Sequence, residues 1–379
     1  MALGGFAIGT TEFASMGLLP NISRSLGITE VKTGHLISAY ALGVVVGAPL
    51  LAGLGARMRR RNLLLGLMAI LVAGHLFSAV APGYSSLLVA RFVSALPHGA
   101  YFGIAAVVAA SLVPPNRRGS AVAGIMLGLT IANVVGVPLT TAIGQAWGWR
   151  SAYLLVAVLG SLTLLLVWIF VPTTPVDQHA SLRRELSALR SGKIWFLLAI
   201  GAIGFGGMFA VYTYISPIMT NLAGIAESTI PWVLMTFGVG STVGMLIGGR
   251  FADRSPTRGI IVGFLTTIVT FAALSLTSTS PLWSFVNVFF LGLSGATMIP
   301  SVQTRLMNIA KDAQSLAASL SHSAFNVANA LGAWLGGVVL AAGWGYLGPS
   351  RVAVILGIAG LTLFVGSLLV GRRRPGFML

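Results

Sequence analysis

The sequence predicts an all-α membrane protein with twelve transmembrane helices in two pseudo-symmetric six-helix bundles. Three observations lead to this fold class: few charged residues, apolar runs of transmembrane length along the whole chain, and an internal repeat of six such runs. Of the 379 residues, 56% are hydrophobic and 8% are charged, whereas soluble domains carry about 25% charged residues. Because so few charged residues cannot cover a water-facing surface, we expect lipid to surround the chain.

Apolar runs between turn and charge clusters define the predicted spans. Each run is long enough to cross a hydrocarbon core of about 30 Å. The spans are residues 2–19, 33–55, 63–81, 85–110, 119–144, 150–172, 193–218, 230–250, 259–277, 282–304, 313–341 and 350–371. We interpret the first run as a transmembrane helix and not as a signal peptide, because no small-residue cleavage site ends it and further spans follow.

Basic residues indicate how the chain is oriented. They lie in the short gaps between apolar runs, so the net charge of +16 reflects membrane topology and no nucleic-acid partner is expected. With both termini in the cytoplasm, 18 of the 23 Lys and Arg residues fall on the cytoplasmic side and four on the opposite side, while Arg91 lies inside a span. The bias predicts cytoplasmic N- and C-termini.

The two halves of the chain repeat at a nearly constant offset. An even repeat of six spans predicts two parallel bundles with a substrate site near the membrane midplane. We therefore divide the chain into an N-terminal bundle (1–172), a cytoplasmic linker with a short amphipathic helix (173–192) and a C-terminal bundle (193–379). The pairs 196 residues apart are Gly5 and Gly201, Phe13 and Phe209, Gly99 and Gly295, Asn133 and Asn329, and Gly136 and Gly332; Gly47 and Gly244, like Arg57 and Arg254, are 197 apart.

Several motifs resemble the major facilitator superfamily over essentially the whole chain. Its loop pattern G-x-x-x-D-R-x-x-R-R survives in the second half, whereas in the first half Ala56 replaces the acid. Arg91 with Gly99 resembles the arginine pattern of the family's fourth helix. The second-half loop residues are Gly249, Asp253, Arg254 and Arg258, and the residues that resemble the fifth-helix antiporter signature are Gly128, Gly136, Pro138 and Gly144.

Longer segments narrow the resemblance to the drug:proton antiporter-1 family, in its arabinose-efflux-permease-like branch. These segments are Gly9-Thr10-Thr11-Glu12-Phe13, Gly17-Leu18-Leu19-Pro20, residues 35–49 and Leu96-Pro97-His98-Gly99-Ala100. That branch includes proteins linked to sugar, nucleoside and chloramphenicol export. The resemblance implies a secondary transporter of a bacterial inner membrane and not an enzyme. It implies a small-molecule substrate, protons and the lipid bilayer as partners, no cofactor beyond the coupling proton, and a monomer.

Glu12 is the most informative candidate for chemistry. The other six acids lie in or beside loops, whereas Glu12 lies in mid-span, where a charge costs about 2.5–3.5 kcal/mol. Gly5, Gly9 and Ser15 share its helical stripe and leave room for a cavity or a close neighbour. A carboxyl there is suited to carry a proton or to bind substrate. The alternative is a protonated glutamate that only hydrogen-bonds a neighbouring helix.

Arg91 and His98 lie two helical turns apart on one face of the fourth span. We expect both to act with Glu12 in proton coupling or substrate binding. An arginine inside a bilayer needs polar partners, and a histidine titrates near neutrality. The alternatives are a packing role for Arg91 and a hydrogen-bonded core position for His98.

Two further spans carry patterned residues. The eleventh has a polar stripe that either lines water or joins helices, and the fifth has small residues at every fourth position, which favours close packing. His322, Asn326 and Asn329 of the stripe, with Tyr40 and Tyr212, are candidates for the substrate cavity, although the tyrosines fit a core equally well. The full stripe is Ser315, Ser319, His322, Asn326 and Asn329, and the small residues are Gly124, Gly128, Ala132 and Gly136.

The cytoplasmic loop motif predicts gating residues. The resemblance implies that Asp253, Arg254 and Arg258, with Arg57 in the first half, pair with helix ends and stabilise one conformational state. Ordinary positive-inside charge is the alternative for the arginines. The sequence has no metal-binding cluster and no cysteine, so we expect no metal site. It also lacks a phosphate-binding loop, which argues against an ATP-driven pump.

Three alternatives to a proton-driven exporter remain open. A uniporter or proton symporter of sugars or nucleosides has the same fold, although a uniporter has no need of Glu12. A transport-inactive receptor or scaffold predicts a sizeable cytoplasmic domain. A membrane enzyme predicts a clustered catalytic set, and the sequence carries neither feature.

Overall fold

A computed structural model describes residues 1–55, 58–114, 118–173, 191–310 and 314–373. Over these residues the chain consists of helices and short turns, which confirms the all-α prediction. Contacts divide the chain into two compact units, Met1–Ala180 with Ile230–Met235, and Ser181–Thr229 with Thr236–Leu379. The predicted linker helix within 173–192 lies outside the described residues.

The first half forms its six spans from nine α-helices, because three spans are interrupted. The interruptions fall at Leu18, at Leu96 and at a π-helical turn, Ala132–Gly136. Each is followed within two residues by proline, which lacks an N–H donor and clashes with the preceding helical turn. The helices are α1 (Ala2–Gly17), α2 (Leu19–Leu26), α3 (Glu30–Gly55), α4 (Arg60–Val80), α5 (Tyr84–Ala95), α6 (Pro97–Ser111), α7 (Arg118–Ile131), α8 (Val137–Trp147) and α9 (Trp149–Phe170).

The second half forms its six spans from seven α-helices. Its first span breaks at Tyr214, which is 196 residues after the break at Leu18. The helices are α10 (Gly192–Thr213), α11 (Ile215–Asn221), α12 (Ile230–Arg254), α13 (Pro256–Thr277), α14 (Pro281–Ala310), α15 (Gln314–Ala341) and α16 (Gly348–Arg373). A 3₁₀ turn, Glu227–Thr229, precedes α12.

The length and hydropathy of the helices fit a membrane. In the described part of the chain, 11 helical segments are long and apolar enough to cross a bilayer. The first span is the twelfth: α1 has only 16 residues, and α2 extends it after the break. Large apolar side chains, such as those of Val158, Leu246 and Val269, are exposed along the helices. Such a surface is stable in lipid but not in water.

The internal repeat is visible in the helix packing inside each unit. Two glycines in each half lie, at repeat-related positions, so close to a neighbouring helix that a Cβ atom would overlap a main-chain carbonyl. Small residues at these points let two helices meet backbone to backbone, as is common within bilayers. The contacts are Gly43 with Phe92 and Gly47 with Leu96, and, 197 residues later, Gly240 with Phe289 and Gly244 with Leu293.

The glycines of the fifth span pack against α1. A Cβ atom at Gly128 would overlap the carbonyl of Ala2, and one at Gly136 would overlap the hydroxyl of Thr10. Gly144, two turns later, lies against the break between α1 and α2. Pro138 is the second residue of α8, which follows the π-helical turn directly. These contacts position the middle of α1, where the candidate carboxylate lies.

Candidate functional site

Polar side chains buried in the first unit meet around Arg91 of α5. Arg91 is 0% exposed, and Glu12 of α1 is 5% exposed. Arg91 donates two hydrogen bonds to Thr11: one Nη donates to the hydroxyl at 2.9 Å and the other to the main-chain carbonyl at 3.3 Å. Among the described residues its Nε has no hydrogen-bond partner. A buried cation is therefore anchored on the residue beside Glu12.

Two tyrosine rings lie against this guanidinium group. The Arg91 Cζ atom is 4.2 Å from the ring centroid of Tyr40 on α3 and 5.4 Å from that of Tyr153 on α9. The Tyr40 hydroxyl lies 3.2 Å from Nδ1 of His98 on α6, and the Tyr153 hydroxyl lies 3.0 Å from the Ser15 hydroxyl. Desolvated cation–π contacts contribute up to about 2 kcal/mol each. Residues of α1, α3 and α9 thus contact one buried charge, and His98 of α6 contacts Tyr40 behind it.

His75 of α4 completes the cluster. Its ring is fully buried, with Nε2 2.6 Å from the Thr11 hydroxyl and Nδ1 2.8 Å from the carbonyl oxygen of Leu71. The ring centroid lies 6.2 Å from that of Tyr153. Thr11 therefore joins His75 to Arg91 through a single hydroxyl group.

Glu12 lies beside this cation without an ion pair. In the described part of the chain its carboxylate makes no hydrogen bond and no ion pair within 4.0 Å, although it interacts electrostatically with Arg91 and Tyr40. Of the two predicted possibilities for the Gly5 and Gly9 stripe, the close neighbour is present, because both glycines pack on α7. A carboxyl that is buried, near a cation and not fixed by a salt bridge can bind and release a proton.

The matching positions of the second unit have no charge. At the offset of the flanking pairs, Glu12 corresponds to Met208, Tyr40 to Phe237, and Arg91 to the buried Val288. Ionisable chemistry at these aligned positions is therefore confined to the first half.

The predicted cavity residues of the second unit are polar or aromatic. Tyr212 stacks on Phe237 with the ring centroids 3.9 Å apart, and the Asn326 amide nitrogen donates to the His322 carbonyl at 3.0 Å. Asn326 Oδ1 and both amide atoms of Asn329 are buried without a partner among the described residues. Unpaired buried amides suit a stripe that binds water or substrate better than one that only joins helices. The side chains of Ser315 and Ser319 are outside the described set.

The predicted gating residues lie at the turn between α12 and α13. Asp253 and Arg254 are exposed, and the main-chain N–H of Arg258 donates to the Ser255 hydroxyl at 3.4 Å. Within the described ranges Asp253 makes no ion pair. Arg57 lies outside those ranges, so the gating role stays a prediction.

Glu12, Arg91 and His98 were predicted to act together, and Tyr40, predicted as a cavity residue, lies in the same cluster. His75 and Tyr153 were not predicted. His75 carries a usable signal, because an ionisable residue in mid-span points to function. Tyr153 carries no such signal, since it lies near the start of α9 and reaches the cluster only through helix packing.

Comparisons with known proteins give a single answer. The model of the Major Facilitator Superfamily matches residues 1–226 and 198–377. The chain is 38% identical over 377 residues to the inner membrane transport protein YdhP of Escherichia coli K12, covering 99% of this chain and 96% of the relative. It is 33% identical to the chloramphenicol resistance protein of Streptomyces lividans, covering 92% and 90%. A solved structure of the peptide transporter POT with alafosfalin has the same fold, with a TM-score of 0.75, 15% identity and coverage of 100% and 94%.

Proposed function

Because the chain belongs to the Major Facilitator Superfamily and is a multi-pass inner-membrane transporter, we propose that it exports a small organic molecule in exchange for protons. The substrate classes are drugs, sugars or nucleosides. The proton is the coupling ion, and no other cofactor takes part. The 18-to-4 distribution of basic residues supports cytoplasmic N- and C-termini.

The observation that carries this proposal is the environment of Glu12. Its carboxyl is buried in mid-span beside Arg91 and has no ion pair among the described residues. A carboxylate that served only to neutralise Arg91 would be expected to form a direct salt bridge, because a buried charge is costly without one. Glu12 therefore has the burial and the electrostatic neighbour that suit a group which exchanges protons.

Proton and substrate transport are coupled because the proton and the substrate compete for this site. In the outward-open state a proton from outside binds the Glu12 carboxylate, and the neutral carboxyl can cross with the moving bundles. In the inward-open state the proton leaves to the cytoplasm, and substrate binds while the site is deprotonated. Arg91 keeps its charge throughout, since a guanidinium group does not lose its proton in proteins.

The driving force limits what such an exchanger can achieve. One proton crossing 100 mV supplies about 2.3 kcal/mol, and one pH unit adds about 1.4 kcal/mol. A one-proton exporter of a neutral substrate therefore sustains a concentration ratio of roughly five hundred. A ratio of this size suits the removal of a toxin or of an excess metabolite.

The test is a screen followed by a proton-flux measurement. Inverted membrane vesicles from an efflux-deficient host are acidified inside, and chloramphenicol, other antibiotics, sugars and nucleosides are added in turn. A substrate should collapse the pH gradient in vesicles with the wild-type chain but not in vesicles with Glu12→Gln. A compound that is transported at the same rate with and without a protonophore would instead identify a uniporter. Proton movement in the same direction as the substrate would identify a symporter.

A further inference from the structure

We propose that His75 is a positioning residue, which acts through Thr11 to hold Arg91 and so sets the proton affinity of Glu12. The inference deepens the proposed function and rests on Glu12 as the proton carrier. His75 itself contacts neither Glu12 nor a substrate position in this account. Its role is to orient the hydroxyl group on which the cation is anchored.

The hydrogen-bond partners determine which group donates and which accepts in the series His75–Thr11–Arg91. The Leu71 carbonyl can only accept, so Nδ1 of His75 carries the hydrogen at 2.8 Å. In the neutral ring Nε2 is then an acceptor, and the Thr11 hydroxyl donates to it at 2.6 Å. With its hydrogen committed to His75, the Thr11 oxygen presents its lone pairs to Arg91, which donates at 2.9 Å. Without His75 the Thr11 hydrogen has no fixed direction, and rotation of the hydroxyl weakens the bond to Arg91.

The packing of α4 holds His75 in place. A Cβ atom at the preceding residue, Gly74, would lie 2.6 Å from Cα of Ser94, so α4 and α5 touch backbone to backbone at this point. Ser94 in turn donates to the Arg91 carbonyl at 2.9 Å. Gly74 thus brings the turn of α4 that carries His75 against Ser94 of α5, which lies one turn after Arg91. A small residue here is required for the contact, because any larger one separates the two helices.

The electrostatic consequence falls on Glu12. Arg91 on α5 and Tyr40 on α3 interact electrostatically with Glu12. The other titratable groups of the Arg91 cluster are His75 on α4, His98 on α6 and Tyr153 on α9. The fifth span has none between Gly119 and Trp147. Arg91 stays charged, because a guanidinium group does not lose its proton in proteins, and it favours the carboxylate form of Glu12. Loosening Arg91 therefore lets Glu12 keep its proton to a higher pH.

A substrate-independent probe tests this inference. Dicyclohexylcarbodiimide reacts with protonated carboxyls in apolar surroundings: the carboxyl O–H adds across a C=N bond, and the adduct rearranges to a stable N-acylurea without loss of atoms. Labelling of Glu12 in purified full-length protein is followed by mass spectrometry across pH, with Glu12→Gln as the blank. We expect His75→Leu to move the labelling midpoint upward by about one pH unit. His75→Gln, which still offers Thr11 an acceptor, should restore a midpoint near that of the wild type.

Further variants separate positioning from general disruption. Thr11→Val removes the hydroxyl group that links His75 to Arg91, so it should reproduce the shift of the labelling midpoint. Combining it with His75→Leu should add little. Thr11→Val also replaces His75→Leu if that variant fails to fold. His35→Leu is the matched control, because His35 binds the Tyr84 hydroxyl at 3.1 Å, away from the cluster.

The outcomes distinguish a failure of the role proposed for His75 from a failure of Glu12 as the proton carrier. A wild-type midpoint in both His75→Leu and Thr11→Val would overturn the role of His75 and leave the proton carrier standing. A shift of equal size in His35→Leu would also overturn it. Absence of Glu12 labelling in the wild type at every pH would contradict the proposed function, and the role of His75 with it.

Discussion

Replacing Arg91 with lysine tests whether the buried guanidinium group holds the first bundle together. Lysine keeps the positive charge, but its ammonium group cannot reproduce the planar fork of donors. Arg91 makes two hydrogen bonds to Thr11 and lies 4.2 and 5.4 Å from two tyrosine rings. Loss of one charge-assisted bond costs about 1.5–3 kcal/mol. Because the lysine ammonium group keeps part of each cation–π contact, these contacts lose only about 0.5–1 kcal/mol in total. We therefore expect Arg91→Lys to lower the free energy of unfolding by about 2–4 kcal/mol.

Unfolding in mixed micelles measures this change. The protein is titrated with SDS, and the fluorescence of its eight tryptophans is recorded. Arg150→Lys is the matched control, because Arg150 donates one bond to the Ala81 carbonyl at 2.8 Å and lies 4.1 Å from the Trp149 ring, but is only half-buried. Water can replace its contacts, so the control should lose about 1 kcal/mol or less. Equal losses in the two variants would refute the claim that these buried contacts hold Arg91.

Two further predictions concern the cytoplasmic side. A single cysteine at Asp177, in a chain with no other cysteine, should react with a membrane-impermeant maleimide only in inverted vesicles, because the basic residues predict a cytoplasmic linker; reaction in intact cells would reverse the orientation. Asp253→Asn should raise the reactivity of cysteines on the cytoplasmic side and lower transport at unchanged expression, since it removes the charge that is expected to pair in the closed state. Accessibility equal to that of the wild type would exclude Asp253 as a latch.

Much of the fold could be predicted because bilayer thickness imposes a length and a polarity on every span. The repeat was also visible, since Gly47 and Gly244 serve the same backbone contact in each half. The interruptions at Leu18 and at the π-helical turn were not predicted. Pro20 and Pro138 mark them in the sequence, but a proline in a transmembrane helix can kink, break or leave the helix straight, and packing decides which. Pro300 lies inside α14 without a break.

The candidate site was predicted in part for a similar reason. Glu12 and Arg91 stand out because a charge in mid-span is costly, and a charged residue within an apolar run can be recognised from a single sequence. His75 is also an ionisable residue in mid-span, but it lies within an apolar run and was not predicted as a site residue. Its pairing with Thr11 depends on the close approach of α4 to α5 at Gly74, which is a property of tertiary packing.

Uphill transport by Glu12→Gln tests the central claim most directly. Glutamine keeps the shape of the side chain and a hydrogen-bonding amide, but it cannot titrate. Wild-type protein and variant are reconstituted into proteoliposomes with a substrate from the vesicle screen, and a pH gradient is imposed. Glu12→Asp serves as the control, which should retain partial coupling with an altered pH optimum because its carboxyl is one methylene shorter. We predict that Glu12→Gln loses accumulation against the substrate gradient while downhill exchange of substrate continues. Accumulation by Glu12→Gln at the wild-type level would show that the proton is carried elsewhere and would contradict the account.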